Sequence, residues 1–107
     1  SAEIAMRVLA ARERQSRRYT ALGLSATVTN AQVPPAVLEL VAAPDKAGLS
    51  LLREASDAMR LSARGYHRVL RVARTLADLD GADKIGRVHL AEALSYRALT
   101  DEMRRAA

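Results

Sequence analysis

The sequence predicts an all-α domain, a small bundle of about five helices over residues 1–107 with one long loop after the first helix. Three observations carry that expectation. Apolar residues recur at three- and four-residue steps through most of the chain, the period of a helix with one buried face. Half of the residues are apolar (50%), yet Phe and Trp are absent, so Ala, Leu and Val must build the core, as suits closely packed helices. Pro, Gly, Ser and Asp interrupt the apolar runs where helices should start and stop. A chain of 107 residues is long enough for one modest core and one domain.

"SAEIAMRVLAARERQSRRY" places Ile4, Val8, Ala11 and Gln15 on one seam, which predicts a first helix over residues 2–19 with Ser1 as N-cap. "TALGLSATVTNAQV", residues 20–33, breaks that period with Gly23 and polar β-branched residues. It reads as a connector long enough to pack on a neighbour. "PPAVLELVAA" starts a short second helix, because proline tolerates a first turn whose N–H groups lack partners. "PDKAGLSLLREASDAMR" repeats the device with Pro44 and Asp45. Its inward positions are Leu51, Leu52, Ala55 and Met59, and Gly48 should weaken its first turns. Ser62 caps a fourth helix that runs to about Asp80, where Gly81 can end it. "ADKIGR" is an extended bridge with Ile85 as its buried anchor. "VHLAEALSYRALTDEMRRA" is the fifth helix, with Leu90, Ala93, Leu94 and Met103 facing inward and two arginines suited to the negative end of its dipole.

Charge narrows the function classes. The net charge is +5 and 15 of the 17 basic residues are Arg, a balance that attracts polyanions or merely keeps the domain soluble. There is no Cys, which excludes disulfides and thiolate metal sites and suits a cytoplasmic protein. No apolar run reaches the length of a membrane span. The chain starts at Ser1 and enters a helical pattern at once, as expected of a piece of a longer protein.

The fourth helix carries the most specific pattern. Arg64, Arg68, Arg71 and Arg74 follow one another at steps of four, three and three. Tyr66, Val69, Leu70, Ala73, Leu76 and Ala77 then cluster on the other side, at about 100° per residue. For Arg71 and Arg74 the expectation is a solvated charged face. Arg64 differs, because it falls in the first turn after the Ser62 cap, where the helix dipole disfavours a cation and favours an anion. A residue that breaks a local rule there reads as aimed at a phosphate. Arg14, Arg17, Arg18 and Arg71 are further candidates for polyanion contacts.

The block "LSARGYHRVLRVARTLADLDGADKIGRVHLAEALSYR", preceded by "RVLAARERQSRRY" and "TNAQV", resembles the C-terminal helical lid of the magnesium-chelatase-like AAA+ ATPases, in particular their ComM competence group. The resemblance runs from Ile4 to Arg97 and is weakest between Thr20 and Thr29. It implies that Arg64 is the sensor-2 arginine, directed at the phosphates of ATP and magnesium held by a core domain, with Ser62, Gly65 and Arg68 in support. It further implies a hexameric ring, contacts with that core and with neighbouring subunits, and branch migration of DNA in transformation and recombination. Metal insertion into a porphyrin remains the other activity in the family.

Several chemistries are set aside. His67 and His89 lack second ligands at a metal spacing. "DLDGAD" puts its Gly at the wrong place for a calcium loop, and His89 stands where Glu should close it. Glu92 reads as a solvated carboxylate. No G-x-x-x-x-G-K-[ST] segment is present, so the chain by itself should not be an enzyme. Two other readings stay open: a stand-alone basic helical module that binds DNA, and a protein adaptor using the Thr20–Val33 loop. Replacement of Arg64 should cut ATP turnover of the parent, and replacement of Arg74 should matter far less.

Overall fold

The computed structural model describes residues 1–106, which form five helices in sequence order. Helix α1 spans Ala2–Ala21, α2 Pro35–Val41, α3 Lys46–Met59, α4 Ala63–Leu79 and α5 Arg87–Ala106. Among the described residues there is no strand, and no helix is long and apolar enough to cross a membrane.

Local chemistry accounts for the boundaries. Ser1 Oγ accepts from the Ile4 N–H, Asp45 Oδ1 from Gly48 and Ser62 Oγ from Gly65, so α1, α3 and α4 each start on a side-chain cap. Pro35 opens α2 behind Pro34. At the end of α3, Arg60 takes the left-handed conformation (φ 51°), and the Leu61 N–H returns to Ser56 O at 3.0 Å. Gly81 does the same after α4, at φ 74°. The cap of α5 has an unusual acceptor: His89 Nδ1 receives the Gly86 N–H at 2.9 Å, as a Glu does in a capping box. That bond fixes the tautomer, so His89 Nε2 carries the hydrogen and donates to Asp80 Oδ2 at 2.8 Å.

Helix α4 is the hub, packing on α1, α2 and α5, while α3 packs on α5. Tyr19, Leu38, Leu52, Val69, Leu70 and Leu90 fill one core with the alanines of α4 and α5. Complete burial of each leucine contributes roughly 1.5–3 kcal/mol. Ile85, the anchor of the bridge, is 1% exposed. Gly48 turns out to be a packing device: a Cβ there would meet Leu90 Cδ1 at 2.9 Å, so the missing side chain lets α3 approach α5.

Three expectations are corrected. Ile4 and Val8 lie on the expected seam of α1 but are 61% and 42% exposed. Arg7 already reaches Leu79 O at the end of α4, so the earlier turns of α1 run past the bundle. Met103 is exposed, because α5 outruns the helices that could cover its last turns. The ladder is not one solvated face. Each three-residue step falls about 60° short of a full turn, which carries Arg74 to the flank of the buried face, where it is 1% exposed. Arg71 is half-buried and donates to Val33 O at 2.8 Å.

Candidate functional site

The four arginines divide at the middle of α4. In the second half, Arg74 Nη1 donates to Val41 O and Asp83 O at 3.0 Å each, and Nη2 to Ala82 O at 2.9 Å. One guanidinium thus ties the end of α2 to the α4–α5 bridge. Asp78, one turn on and buried, forms an ion pair with Arg74 Nη2 at 3.2 Å and accepts from both terminal nitrogens of Arg18. Asn30, from the long loop, completes the knot. Its Nδ2 donates to Asp78 Oδ2 at 2.9 Å and Thr75 Oγ1 at 3.1 Å, its Oδ1 accepts from the Tyr19 hydroxyl, and its N–H reaches Gln15 Oε1 at 3.0 Å.

This knot is structural in its chemistry. Burial lowers the pKa of Arg74, partly offset by the Asp78 charge, yet an arginine starts so high that it stays protonated. For Arg18 burial also opposes the charge, but the hydrogen bond and charge of Asp78 prevail and raise its pKa. Burial likewise pushes the Tyr19 phenol upward. The Nε–H groups of Arg71 and Arg74 find no acceptor among the described residues. Arg18, proposed from the sequence as a polyanion contact, is therefore engaged with Asp78 and Asn30, and Arg71 with the backbone. Arg14 lies over Gly81 and pairs loosely with Asp83 at 3.7 Å, while Arg17 is exposed beside it.

The first half of α4 is different. Ser62 is the cap, and its hydroxyl satisfies Gly65, leaving the N–H groups of Ala63 and Arg64 without intrahelical partners. Arg64 is exposed and makes no hydrogen bond or ion pair among the described residues. Gly65 is buried because Arg97 of α5 lies on it: a Cβ would sit 3.3 Å from Arg97 Nη1. Asp101 holds Arg97 from the Nε side at 3.1 Å. Arg68 is exposed, and with Arg97 and Arg104 it lines a small cavity between α4 and α5. The structure thus brings Ser62, Arg64, Gly65 and Arg68 to one end of α4 and adds Arg97, which the sequence reading passed over. Arg14 and Arg17 stand elsewhere, at the side of α1.

The histidines are spoken for within the fold. His67 Nε2 lies 3.2 Å from Glu39 Oε1, and His89 serves the α5 cap. Glu92 is exposed.

Comparison with known proteins gives this arrangement its context. The family model described as the magnesium chelatase, subunit ChlI, C-terminal matches residues 1–97. The competence protein ComM of Haemophilus influenzae is 54% identical over 48 residues, which cover 45% of this chain and 9% of that protein. A protein of Salmonella typhimurium, YifB, is 38% identical over 99 residues, 92% of this chain and 18% of the relative. A protein of Mycobacterium bovis, Mb2921c, is 39% identical over 97 residues, 91% of this chain and 19% of its own length. This chain therefore spans less than a fifth of each of these relatives. No solved structure matches it. A match over residues 1–97, with relatives aligned across almost the whole chain, establishes that this five-helix bundle belongs to the C-terminal domain family of the ComM-type magnesium-chelatase-like proteins.

Proposed function

We propose that this domain is the nucleotide-responsive lid of an AAA+ ATPase. In this reading a core domain elsewhere in the polypeptide holds ATP and magnesium, and the first turn of α4 closes over the phosphates. One observation carries it. Of the four ladder arginines, Arg64 stands at the helix entrance, exposed and without a partner among the described residues, where its charge opposes the dipole. A bound phosphate would remove that conflict, with Arg64 and two backbone N–H groups facing one anion. The domain moves as a unit in this reading, because the buried knot and a single core bind its helices together. Loss of the γ-phosphate would release Arg64 and turn the bundle against the core.

The small share of each relative that this chain covers leaves room for such a core. The name of the Haemophilus relative, a competence protein, supports DNA as the substrate of the whole machine. A hexameric ring acting on DNA by branch migration in the cytoplasm completes the proposal. The stand-alone DNA-binding reading is weaker, since Arg18 and Arg71 are already engaged within the fold.

Arg64→Ala in the intact ATPase tests the reading. ATP turnover should fall by about tenfold or more, the loss of one charge-assisted contact in the transition state. The melting of the domain should not change. Arg53, exposed on α3, is the proper control, because Arg74 is a structural residue. Normal turnover by a folded Arg64→Ala enzyme overturns the assignment.

A further inference from the structure

The two long antiparallel helices leave a trough that the fold does not fill. Val72 and Leu76 of α4 form one wall, and Val88, Ala91 and Tyr96 of α5 form the other. Val88 and Tyr96 are 59% and 60% exposed, and Leu99 and Met103 extend the same helix with 54% and 63%. Val72 and Tyr96 also line the cavity that ends at Arg68, Arg97 and Arg104, so the two hollows adjoin along these residues. From Val88 to Arg104 the trough is about 24 Å long, the length of about four helical turns.

Its charge is polarised. Arg68 and Arg104 have no ion pair among the described residues, and the nearby carboxylate of Asp101 is held by Arg97. At the opposite end stands Glu92, exposed and likewise without an ion pair among the described residues. We propose that this trough is a docking groove for an amphipathic helix of a partner protein, one whose apolar ridge ends in a cluster of acidic residues. The apolar walls receive a ridge at i, i+3, i+4 and i+7, and the guanidinium groups of Arg68 and Arg104 receive the carboxylates. Charge complementarity selects this occupant. A nucleic acid strand would need cations along the whole groove, and here they stand at one end. A second copy carries the same +5 charge, and on the exposed turns of α1 its carboxylates Glu3 and Glu13 stand ten residues apart with Arg7 and Arg12 between them. That surface offers the arginine end no cluster of carboxylates.

The proposal shares Arg68 with the nucleotide reading, and its test contains no nucleotide, so the two stand or fall separately. The probe is a fluorescein-labelled synthetic helix of about four turns, with leucines on one face and glutamates clustered in its last turn. Its anisotropy is followed on titration with the 107-residue chain, which has its own core. Saturable binding is expected, weakened by about tenfold or more in the double variant Arg68→Glu/Arg104→Glu. A probe with lysines in place of the glutamates should show the reverse preference and bind the double variant better than the parent chain. Val88→Ser should weaken both, and circular dichroism melts should match for all variants, since the altered residues are exposed. Three results overturn the proposal: equal binding of the two probes by the parent chain, displacement of the acidic probe by an equimolar thymidine oligonucleotide, or self-association of the chain that Val88→Ser abolishes.

Discussion

Replacing Asp78 with Asn keeps the shape of the side chain and removes its charge. The Asp78 side chain is 0% exposed and faces Arg74, whose side chain is 2% exposed, and Arg18, at 19%. Removing one member of a buried ion pair costs roughly 3–5 kcal/mol, because the remaining charge is left without its counter-ion. Here three carbonyl oxygens still accept from Arg74, which places the loss at the low end, about 3 kcal/mol. A domain of this size loses about 4 °C of Tm per kcal/mol, so melting should fall by about 12 °C. Urea denaturation followed by circular dichroism measures the free energy directly, and Asp83→Asn is the control. Asp83 is 99% exposed and pairs with Arg14 at 3.7 Å, so its replacement should cost less than about 0.5 kcal/mol. An Asp78→Asn loss under about 1 kcal/mol would refute the reasoning, since it would show Asp78 to be screened like a surface carboxylate. Exchanging the pair for apolar residues should not restore stability, as it sometimes does elsewhere. Arg74→Met would leave the oxygens of Val41, Ala82 and Asp83 without their donor.

Gly48→Ala should destabilise the chain by about 1–3 kcal/mol despite the better helix propensity of alanine, because the new methyl meets Leu90; a gain in Tm would show that α5 moves aside freely. His89→Ala should cost about 1–2 kcal/mol by stranding the Gly86 N–H, and His89→Gln should recover most of it, since Gln at that place accepts the same hydrogen. Equal urea midpoints for the two variants would remove the capping role. Burial raises the Tyr19 pKa, so the folded state holds the phenolic proton more tightly than the unfolded chain. That contribution is complete below the ordinary tyrosine pKa of about 10 and is lost as pH rises through the higher folded value. Stability should therefore decline more steeply above that pH in the parent chain than in Tyr19→Phe, as read from urea midpoints across the alkaline range.

Helix periods, the Ser1 and Ser62 caps, the prolines at the start of α2 and the glycine after α4 were legible in the sequence because each is a local signal, acting within one helical turn. The place of Arg64 at a helix entrance was legible for the same reason. The roles of Asn30, Asp78 and Arg97 were not. Asn30 and Asp78 are separated by 48 residues, and nothing in either neighbourhood marks a buried partner. Arg74 at i and Asp78 at i+4 was the one available hint, but that spacing usually describes a solvated pair.

By itself the sequence determined that this chain is a helical bundle, where its helices begin and end, and which family it belongs to. Tertiary structure alone decided which arginines are free. α1 and the long loop cover the second half of α4 and leave the first half open, so the same residue type is interior cement at Arg74 and an exposed cation at Arg64. Periodicity gives the direction of a side chain about its own helix axis. Whether another helix waits in that direction depends on contacts between residues far apart in the chain.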